Sequence, residues 1–231
     1  MKKFYVVATP IGNLEDITLR AVRVLSEADV VLCEDTRTTK KLFQKFGITT
    51  RAISFHSHTD EKGFEQVFEL IREEKALALV TDAGTPGISD PGSELVSRVR
   101  HTFPDINVVS VPGPSALTAA LSISGLPSSD FLFLGFLPHK KGRQTLFREI
   151  AGSERTAVFY ESPHRMLKAL ESLSKELEES RIVVVARELT KVFEELRTGS
   201  PREVLEFFTA HPDKVRGEFV VMVSGKGFHS R

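Results

Sequence analysis

The sequence has few of the features that define disulfide-bonded, membrane or strongly basic proteins. Its single cysteine, Cys33, cannot form an internal disulfide, and it ends the apolar run Val30-Val-Leu-Cys33, which is typical of a buried strand. No apolar run approaches the length of a membrane span and no signal peptide is evident, so we expect a cytoplasmic protein without a membrane partner. Lysine plus arginine equals aspartate plus glutamate, 31 each, so any basic surface has to be local.

Several catalytic and cofactor motifs are also missing. There is no G-x-x-x-x-G-K-[ST], no G-x-G-x-x-G after a strand and little lysine in the glycine loops, which argues against a phosphate-rich cofactor. The absence of G-x-S-x-G argues against a Ser-His-Asp hydrolase. His56 and His58 stand two apart with no other histidine or cysteine near them, so we predict no metal site.

What is present is a glycine-rich stretch in the first half of the chain, residues 80–93, which follows an apolar run at 76–80. Three glycines and two prolines give it a rigid path on which the backbone can approach a ligand closely. Asp90 is predicted to be the N-cap of the next helix, with Pro91 at its first position. The alternative interpretation is an ordinary connection between a strand and a helix.

Strands and helices alternate through the first half of the chain. Strands are predicted at residues 4–8, 30–33, 52–55, 76–80 and 106–111. A helix capped by Asn13 is predicted to start at Leu14, and residues 34–39 read as a polar loop before the next helix. This alternation is typical of an α/β domain with a mostly parallel sheet covered on both faces.

The second half predicts another α/β domain with a mixed sheet, and we place the two domains at residues 1–113 and 114–231. Its predicted strands lie at residues 131–136, 156–160, 182–186 and 218–223, with a hairpin partner near 192–197. Its predicted helices lie at residues 116–124, 166–177 and 201–209. With 231 residues, 41% of them apolar, the chain can bury a substantial core.

Three glycine or proline loops follow strands in the first half, at residues 9–13, 82–92 and 112–116. In an open parallel sheet, ligands bind at the carboxyl ends of the strands. These loops offer backbone groups, hydroxyls and the carboxylates of Asp82 and Asp90, which suit a ligand with a purine, a ribose, an amino-acid end or a positive centre.

Five motifs in this order resemble the ribosomal RNA branch of the tetrapyrrole (corrin/porphyrin) methylase family. They are Thr9-Pro-Ile-Gly-Asn13, Glu34-Asp-Thr-Arg37, Asp82-Ala-Gly-Thr-Pro-Gly-Ile-Ser-Asp-Pro-Gly92, Val111-Pro-Gly-Pro-Ser-Ala116 and Tyr160-Glu-Ser-Pro-His-Arg165. The resemblance implies two α/β domains with S-adenosylmethionine in a cleft between them, and a homodimer. It also implies 2′-O-methylation of a cytidine ribose in the decoding region of 16S rRNA, as free rRNA or in the 30S subunit.

The same resemblance implies a set of cofactor-binding residues. They are Pro10, Gly12, Asp82, Gly84, Thr85, Ile88, Ser89, Ser115, Ala116, Phe159, Tyr160 and Glu218. Pro10 and Ile88 would wall the adenine, while Ser115 and the backbone of Ala116 would bond the methionine end.

Transfer to a ribose hydroxyl benefits from a proton acceptor, and the candidates are Glu34, Asp35 and Glu161. The arginines predicted to hold RNA phosphates are Arg37, Arg143, Arg165 and Arg187. The lysines predicted to do so lie in two basic segments, Lys40 with Lys41 and Lys140 with Lys141. The alternatives are an ion-pair cluster formed by residues 34–37 and ordinary solvated faces for both basic segments.

Two other functions stay open from the sequence: a methyltransferase acting on a tetrapyrrole or another small molecule, and a non-catalytic module that binds adenosyl ligands or RNA. The charged motifs at residues 34–37 and 160–165 favour RNA over an apolar macrocycle, and the three glycine loops argue against a bare RNA-binding module.

Overall fold

The computed structural model describes residues 3–56 and 59–228, and the chain divides into two compact units, Met1–Ser115 and Ala116–Arg231. Both units are α/β, with helices packed on a five-stranded sheet. The predicted fold class is confirmed. Within the described residues, no helix is both long and apolar enough to cross a membrane.

The sheet of unit 1 has the strand order β3-β2-β4-β1-β5, and every pairing in it is parallel. Its strands are β1 Lys3–Val7, β2 Val30–Cys33, β3 Arg51–Ser54, β4 Leu77–Leu79 and β5 Asn107–Val111. Its helices are α1 Leu19–Glu27, α2 Thr36–Phe46, α3 Glu61–Arg72 and α4 Gly92–Thr102.

Both faces of this sheet are buried, because successive residues of the central strands enter different cores. In β2, Val31 and Cys33 pack with α1 and α2, whereas Val30 and Leu32 pack with α3 and α4. A strand buried on both faces is an apolar run without alternation, as predicted for residues 30–33. Burial raises the pKa of the Cys33 thiol, in agreement with a structural cysteine rather than a reactive one.

The sheet of unit 2 is mixed, with the order β6-β7-β10-β8-β9. Only the β6–β7 pairing is parallel, and the other three are antiparallel. Its strands are β6 Phe131–Phe136, β7 Thr156–Glu161, β8 Val183–Arg187, β9 Glu195–Gly199 and β10 Phe219–Val223. Its helices are α5 Ala116–Ser124, α6 Arg143–Gly152, α7 Pro163–Glu176 and α8 Pro201–Ala210.

One face of this sheet packs against α6, α7 and α8. Phe159, Val185 and Val221 lie on that face, in one fully buried core with Phe147 and Phe208. Residues in alternate positions, such as Tyr160, point to the opposite face because side chains alternate along a strand.

Three predicted helix starts differ from the structure. Asn13 caps a 3-10 turn at Leu14–Asp16, and α1 begins only at Leu19, capped by Thr18. The segment predicted as a polar loop at 34–39 is mostly helix, because Asp35 caps α2 at Thr36.

In α4 the N-cap is Pro91 rather than Asp90, and the helix begins at Gly92. The Asp90 carboxylate still accepts a hydrogen bond from the Gly92 N–H at 2.6 Å. Helix α6 was not predicted, and β9 lies at Glu195–Gly199 rather than 192–197. These errors share a cause: local polar caps and turns set the boundaries where apolar periodicity is weak.

Candidate functional site

The three glycine loops of unit 1 meet at the carboxyl ends of β4, β1 and β5, which are neighbours in the sheet. The Thr9 N–H donates to the Gly84 carbonyl at 2.9 Å, and the Gly84 N–H donates to the Thr9 carbonyl at 3.0 Å. The Thr85 hydroxyl donates to the Pro114 carbonyl at 3.2 Å. The chain leaves β1 towards β2 but leaves β4 towards β5, so these loops lie where the connections diverge, the usual ligand position in open α/β sheets.

The central loop, residues 81–91, is held rigid by Asp90. Its carboxylate accepts from the Gly87 N–H at 2.8 Å and from the Gly92 N–H at 2.6 Å. Gly84 has φ of +87°, and Ser89 has φ of +64°, a left-handed conformation that a non-glycine residue adopts at an energetic cost. Backbone strain of this kind is concentrated at functional sites. The side chain of Ile88 stands 45% exposed beside Ser89, so the loop presents an apolar surface and a hydroxyl together.

The predicted cofactor residues of unit 1 fall into three groups by exposure. The buried ones are Pro10 and Gly84, and the half-buried ones are Thr85 and Ser115. The exposed ones are Gly12, Asp82, Ile88 and Ser89. Accessible backbone, hydroxyls and one apolar side chain, all on connected loops, fit a ligand with both an adenosine and an amino-acid end.

Two carboxylates from the end of β2, Glu34 and Asp35, lie beside this loop. The Asp35 N–H donates to Asp82 Oδ1 at 3.1 Å, and the Thr81 hydroxyl contacts Glu34 Oε2 at 3.5 Å. Burial raises the pKa of Glu34, and the negative charges of Asp82 and Asp90 raise it further. Burial also raises the pKa of Asp82.

Asp35 differs from Glu34 in its environment. It caps α2, and its two oxygens accept from Arg37 Nε at 3.1 Å and Arg37 Nη2 at 2.7 Å. Hydrogen bonds from the Arg37 side chain and backbone lower the pKa of Asp35 to about 2, which makes it a weak base. Glu34 is therefore the better proton acceptor of the two. The Arg37 side chain stays 87% exposed and can still face a phosphate.

A small cavity lies between Glu34 and Asp90, with Phe55, Leu79 and Thr81 among its lining residues. It has room for about one water molecule, so it can hold a bridging water but no organic ligand.

In unit 2, Glu161 is not placed as a proton acceptor. Its side chain is 0% exposed; Oε2 accepts from Arg143 Nη2 at 2.7 Å, and Oε1 accepts from Arg165 Nη2 and the Ser162 N–H, each at 2.8 Å. Both oxygens are already occupied by charged or backbone donors within the protein. We call Glu161, Arg143 and Arg165 the Glu161 cluster. This geometry favours a structural role for Glu161 over the catalytic role predicted from its motif, which stays a prediction.

The other predicted cofactor residues of unit 2 are spread over different faces. Phe159 is fully buried in the core, within the paired strand β7. The Tyr160 ring points to the opposite face and packs edge-on against Phe133 and Phe136, at centroid distances of 5.1 and 5.3 Å. Glu218 is exposed and pairs with Lys191 Nζ at 2.8 Å, and Ala116 begins α5.

The predicted RNA-binding residues also divide. Four lysines are exposed: Lys40, Lys41, Lys140 and Lys141. All four predicted arginines have carboxylate partners: Arg37 with Asp35, Arg143 and Arg165 in the Glu161 cluster, and Arg187 with Glu195 at 3.0 Å. Two further cations near Arg187, Arg197 and Lys214, were not predicted, because they come from different elements and share no sequence motif.

For a metal, the part of the chain that the structure describes holds no suitable group of three histidine, cysteine, aspartate or glutamate side chains. His58, considered above with His56, lies outside the described residues.

Comparison with known proteins places these features in context. The family model described as Tetrapyrrole (Corrin/Porphyrin) Methylases matches residues 3–205. The chain is 45% identical over 224 residues to the ribosomal RNA small subunit methyltransferase I of Escherichia coli O157:H7, covering 96% of this chain and 78% of that protein. It is 42% identical over 226 residues to the protein of the same name from Thermotoga maritima, covering 98% of this chain and 100% of that protein.

Among solved structures, the chain is similar to a cobalamin biosynthetic enzyme, cobalt precorrin-4 methyltransferase. The TM-score is 0.69 at 18% identity, and the match covers 96% of this chain and 95% of that one. At this identity the likeness establishes the shared fold only.

Proposed function

The chain belongs to the tetrapyrrole (corrin/porphyrin) methylase family, and from that premise we propose that it methylates the 2′-hydroxyl of a cytidine ribose in 16S rRNA. The resemblance of the five sequence motifs to this family is confirmed. S-adenosylmethionine is the methyl donor of the family. The main support for an RNA substrate is the similarity to relatives named ribosomal RNA small subunit methyltransferase I, which are 42–47% identical over nearly the whole chain.

The loops of unit 1 supply a seat suited to this donor. Ile88 offers an apolar wall, and Ser89 and Thr85 offer hydroxyls. When bound, the donor supplies a methyl group on a positively charged sulfur. The carboxylates beside the loop, Asp82 above all, favour a positive centre. Ala116, Tyr160 and Glu218 stay predicted contacts from unit 2.

For the acceptor, we propose that Glu34 takes the proton of the ribose hydroxyl. Its raised pKa makes it a stronger base than Asp35, and its carboxylate lies within 3.5 Å of the Thr81 hydroxyl at the edge of the donor loop. The main contribution of the fold is positioning, because a fixed approach of oxygen to methyl removes much of the entropic barrier. We further propose that the protein is a cytoplasmic homodimer. We also propose that Arg37 and the exposed lysines contact the RNA.

A test incubates the protein with S-adenosylmethionine labelled in the methyl group and, separately, with 30S subunits, naked 16S rRNA and a tetrapyrrole. We expect label in one of the two RNA samples and none in the tetrapyrrole. Label in the tetrapyrrole alone would support the second candidate, a small-molecule methyltransferase. Binding of the donor without transfer to any acceptor would contradict the proposed RNA substrate.

A further inference from the structure

Four strands of unit 2 carry one continuous row of aligned residues on the face covered by α6, α7 and α8. The register aligns Glu161 of β7 with Phe219 of β10, Phe219 with Arg187 of β8, and Arg187 with Glu195 of β9. Side chains of directly paired residues lie on the same face of a sheet. The row crosses three inter-strand spacings, about 14 Å.

Each end of the row is organised by one carboxylate that holds two cations. At one end is the Glu161 cluster. At the other end, Glu195 accepts from Arg187 Nη1 at 3.0 Å and from Lys214 Nζ at 2.6 Å. Burial alone would raise the pKa of Glu195, but the hydrogen bonds from Lys214 and Arg187 outweigh it and lower the pKa. Glu161 and Glu195 therefore act as positioning residues that fix the cations around them.

A fifth cation, Arg197, follows two positions after Glu195 on the same face of β9. Its guanidinium lies 4.4 Å from the centre of the Phe207 ring, and Lys214 Nζ lies 4.9 Å from the same ring. Among residues 3–56 and 59–228, Arg197 makes no ion pair, and the Nε atoms of Arg187 and Arg197 are buried without a partner. The positive charge on this side is thus only partly compensated within the protein.

We propose that these cations bind phosphates of the RNA backbone, and we call them the cationic rim: Arg143, Arg165, Arg187, Arg197 and Lys214. The five cations face two carboxylates, an excess of three positive charges. Four of these side chains are fixed by ion pairs but stay partly exposed to solvent. Their exposed fractions are 14% for Arg143, 17% for Arg165, 10% for Arg187 and 31% for Lys214. Planar guanidiniums fixed in this way are preorganised to donate to phosphate oxygens.

The length of the row favours a polyanion over a single free phosphate. The rim also continues into the loop that carries the exposed Lys140 and Lys141, because Arg165 Nη1 donates to the Leu137 carbonyl at 2.8 Å and Arg143 Nη1 donates to the Pro138 carbonyl at 3.4 Å. The neighbouring Lys191 pairs with two carboxylates, Glu188 and Glu218, so this group carries one net negative charge and lowers the excess over both groups to two positive charges. This inference rests on the proposed rRNA substrate and adds the surface on which that RNA lies.

The test compares the double variant Arg197→Ala/Lys214→Ala with the wild type and with Arg202→Ala, an exposed arginine of α8 that pairs with Glu206. Binding to 16S rRNA is measured by fluorescence anisotropy across a salt series, with calorimetry of S-adenosylmethionine binding and thermal melting as controls. We expect the double variant to bind RNA about tenfold more weakly at 0.15 M salt. Its slope of log K against log salt should be shallower by roughly 1.4 to 1.8, since each lost phosphate contact removes about 0.7 to 0.9.

Other outcomes distinguish a failure of the cationic rim from a failure of the proposed rRNA methylation. If the wild type methylates rRNA and the double variant matches Arg202→Ala in affinity and slope, the rim is refuted while the proposed function stands. If the wild type neither binds nor methylates rRNA, both fail. If inorganic phosphate stabilises the wild type but not the double variant, and RNA affinity is unchanged, the rim binds a free anion and the RNA proposal is overturned.

Discussion

Replacement of Glu161 by glutamine separates the structural role of this residue from the catalytic role that its motif predicted. The carboxylate is fully buried and its oxygens accept from two guanidiniums and one backbone N–H. Removing one partner of a buried ion pair costs about 3–5 kcal/mol, since the remaining charge is left uncompensated. Glutamine keeps one oxygen as an acceptor, and Arg143 and Arg165 retain some access to water, so we expect a loss of about 3 kcal/mol.

In a protein of this size, a loss of about 3 kcal/mol corresponds to a fall of roughly 6–12 °C in melting temperature. The assay is thermal and denaturant unfolding of Glu161→Gln beside Glu171→Gln, an exposed glutamate of α7 that should stay within about 0.5 kcal/mol of the wild type. Assayed well below its melting temperature and at saturating RNA, Glu161→Gln should retain the kcat of methyl transfer, because its loss affects only the cations that hold RNA. A variant that melts with the wild type but has lost methyl transfer would show that Glu161 is catalytic and that our interpretation of the cluster is wrong.

Three further substitutions, two of them paired with a control variant, test the site in unit 1. Glu34→Gln should lower kcat by about 10²- to 10⁴-fold without weakening S-adenosylmethionine binding. It should also abolish a rise of kcat with pH whose apparent pKa lies above the ordinary glutamate value, whereas Asp35→Asn should keep that rise. Equal losses in both variants would contradict the assignment of Glu34. Asp90→Ala removes the acceptor for two backbone N–H groups, so it should lower the free energy of unfolding by about 1–3 kcal/mol. It should also weaken S-adenosylmethionine binding measured by calorimetry. Unchanged affinity would show that the loop conformation needed for binding does not depend on Asp90. Gly84→Val places a side chain at a φ of +87°, and its control Gly125→Val places one at +71°, so both strain the backbone. Only Gly84→Val should abolish S-adenosylmethionine binding. Equal losses of binding in the two variants would mean that backbone strain alone is responsible.

Much of the fold could be predicted because its strands and turns carry strong local signals. The apolar run at residues 30–33 matches β2, and the segments predicted at 116–124 and 131–136 match α5 and β6. Glycine with positive φ ends α5 at Gly125, where the sequence predicted the end. Alternation of strands and helices was enough to predict the parallel sheet, since parallel strands need a crossover between them.

The roles of individual charged residues could not be predicted in the same way, because pairing depends on strand register. Glu161 and Arg143 are 18 residues apart, and they meet only because β7 and α6 pack together. The row that aligns Glu161 with Arg187 exists only through the antiparallel pairing of β10 with both β7 and β8. A motif therefore indicated that these residues matter, but whether each one faces a ligand or a neighbouring charge required the structure.

The most direct test of the account is nucleoside analysis of the methylated RNA. 16S rRNA or 30S subunits are treated with the protein and S-adenosylmethionine, digested to nucleosides and analysed by mass spectrometry. We predict one new product, 2′-O-methylcytidine, which is absent when the donor is omitted and strongly reduced with Glu34→Gln. Methylation found only on a base, or no new nucleoside at all, would contradict the account.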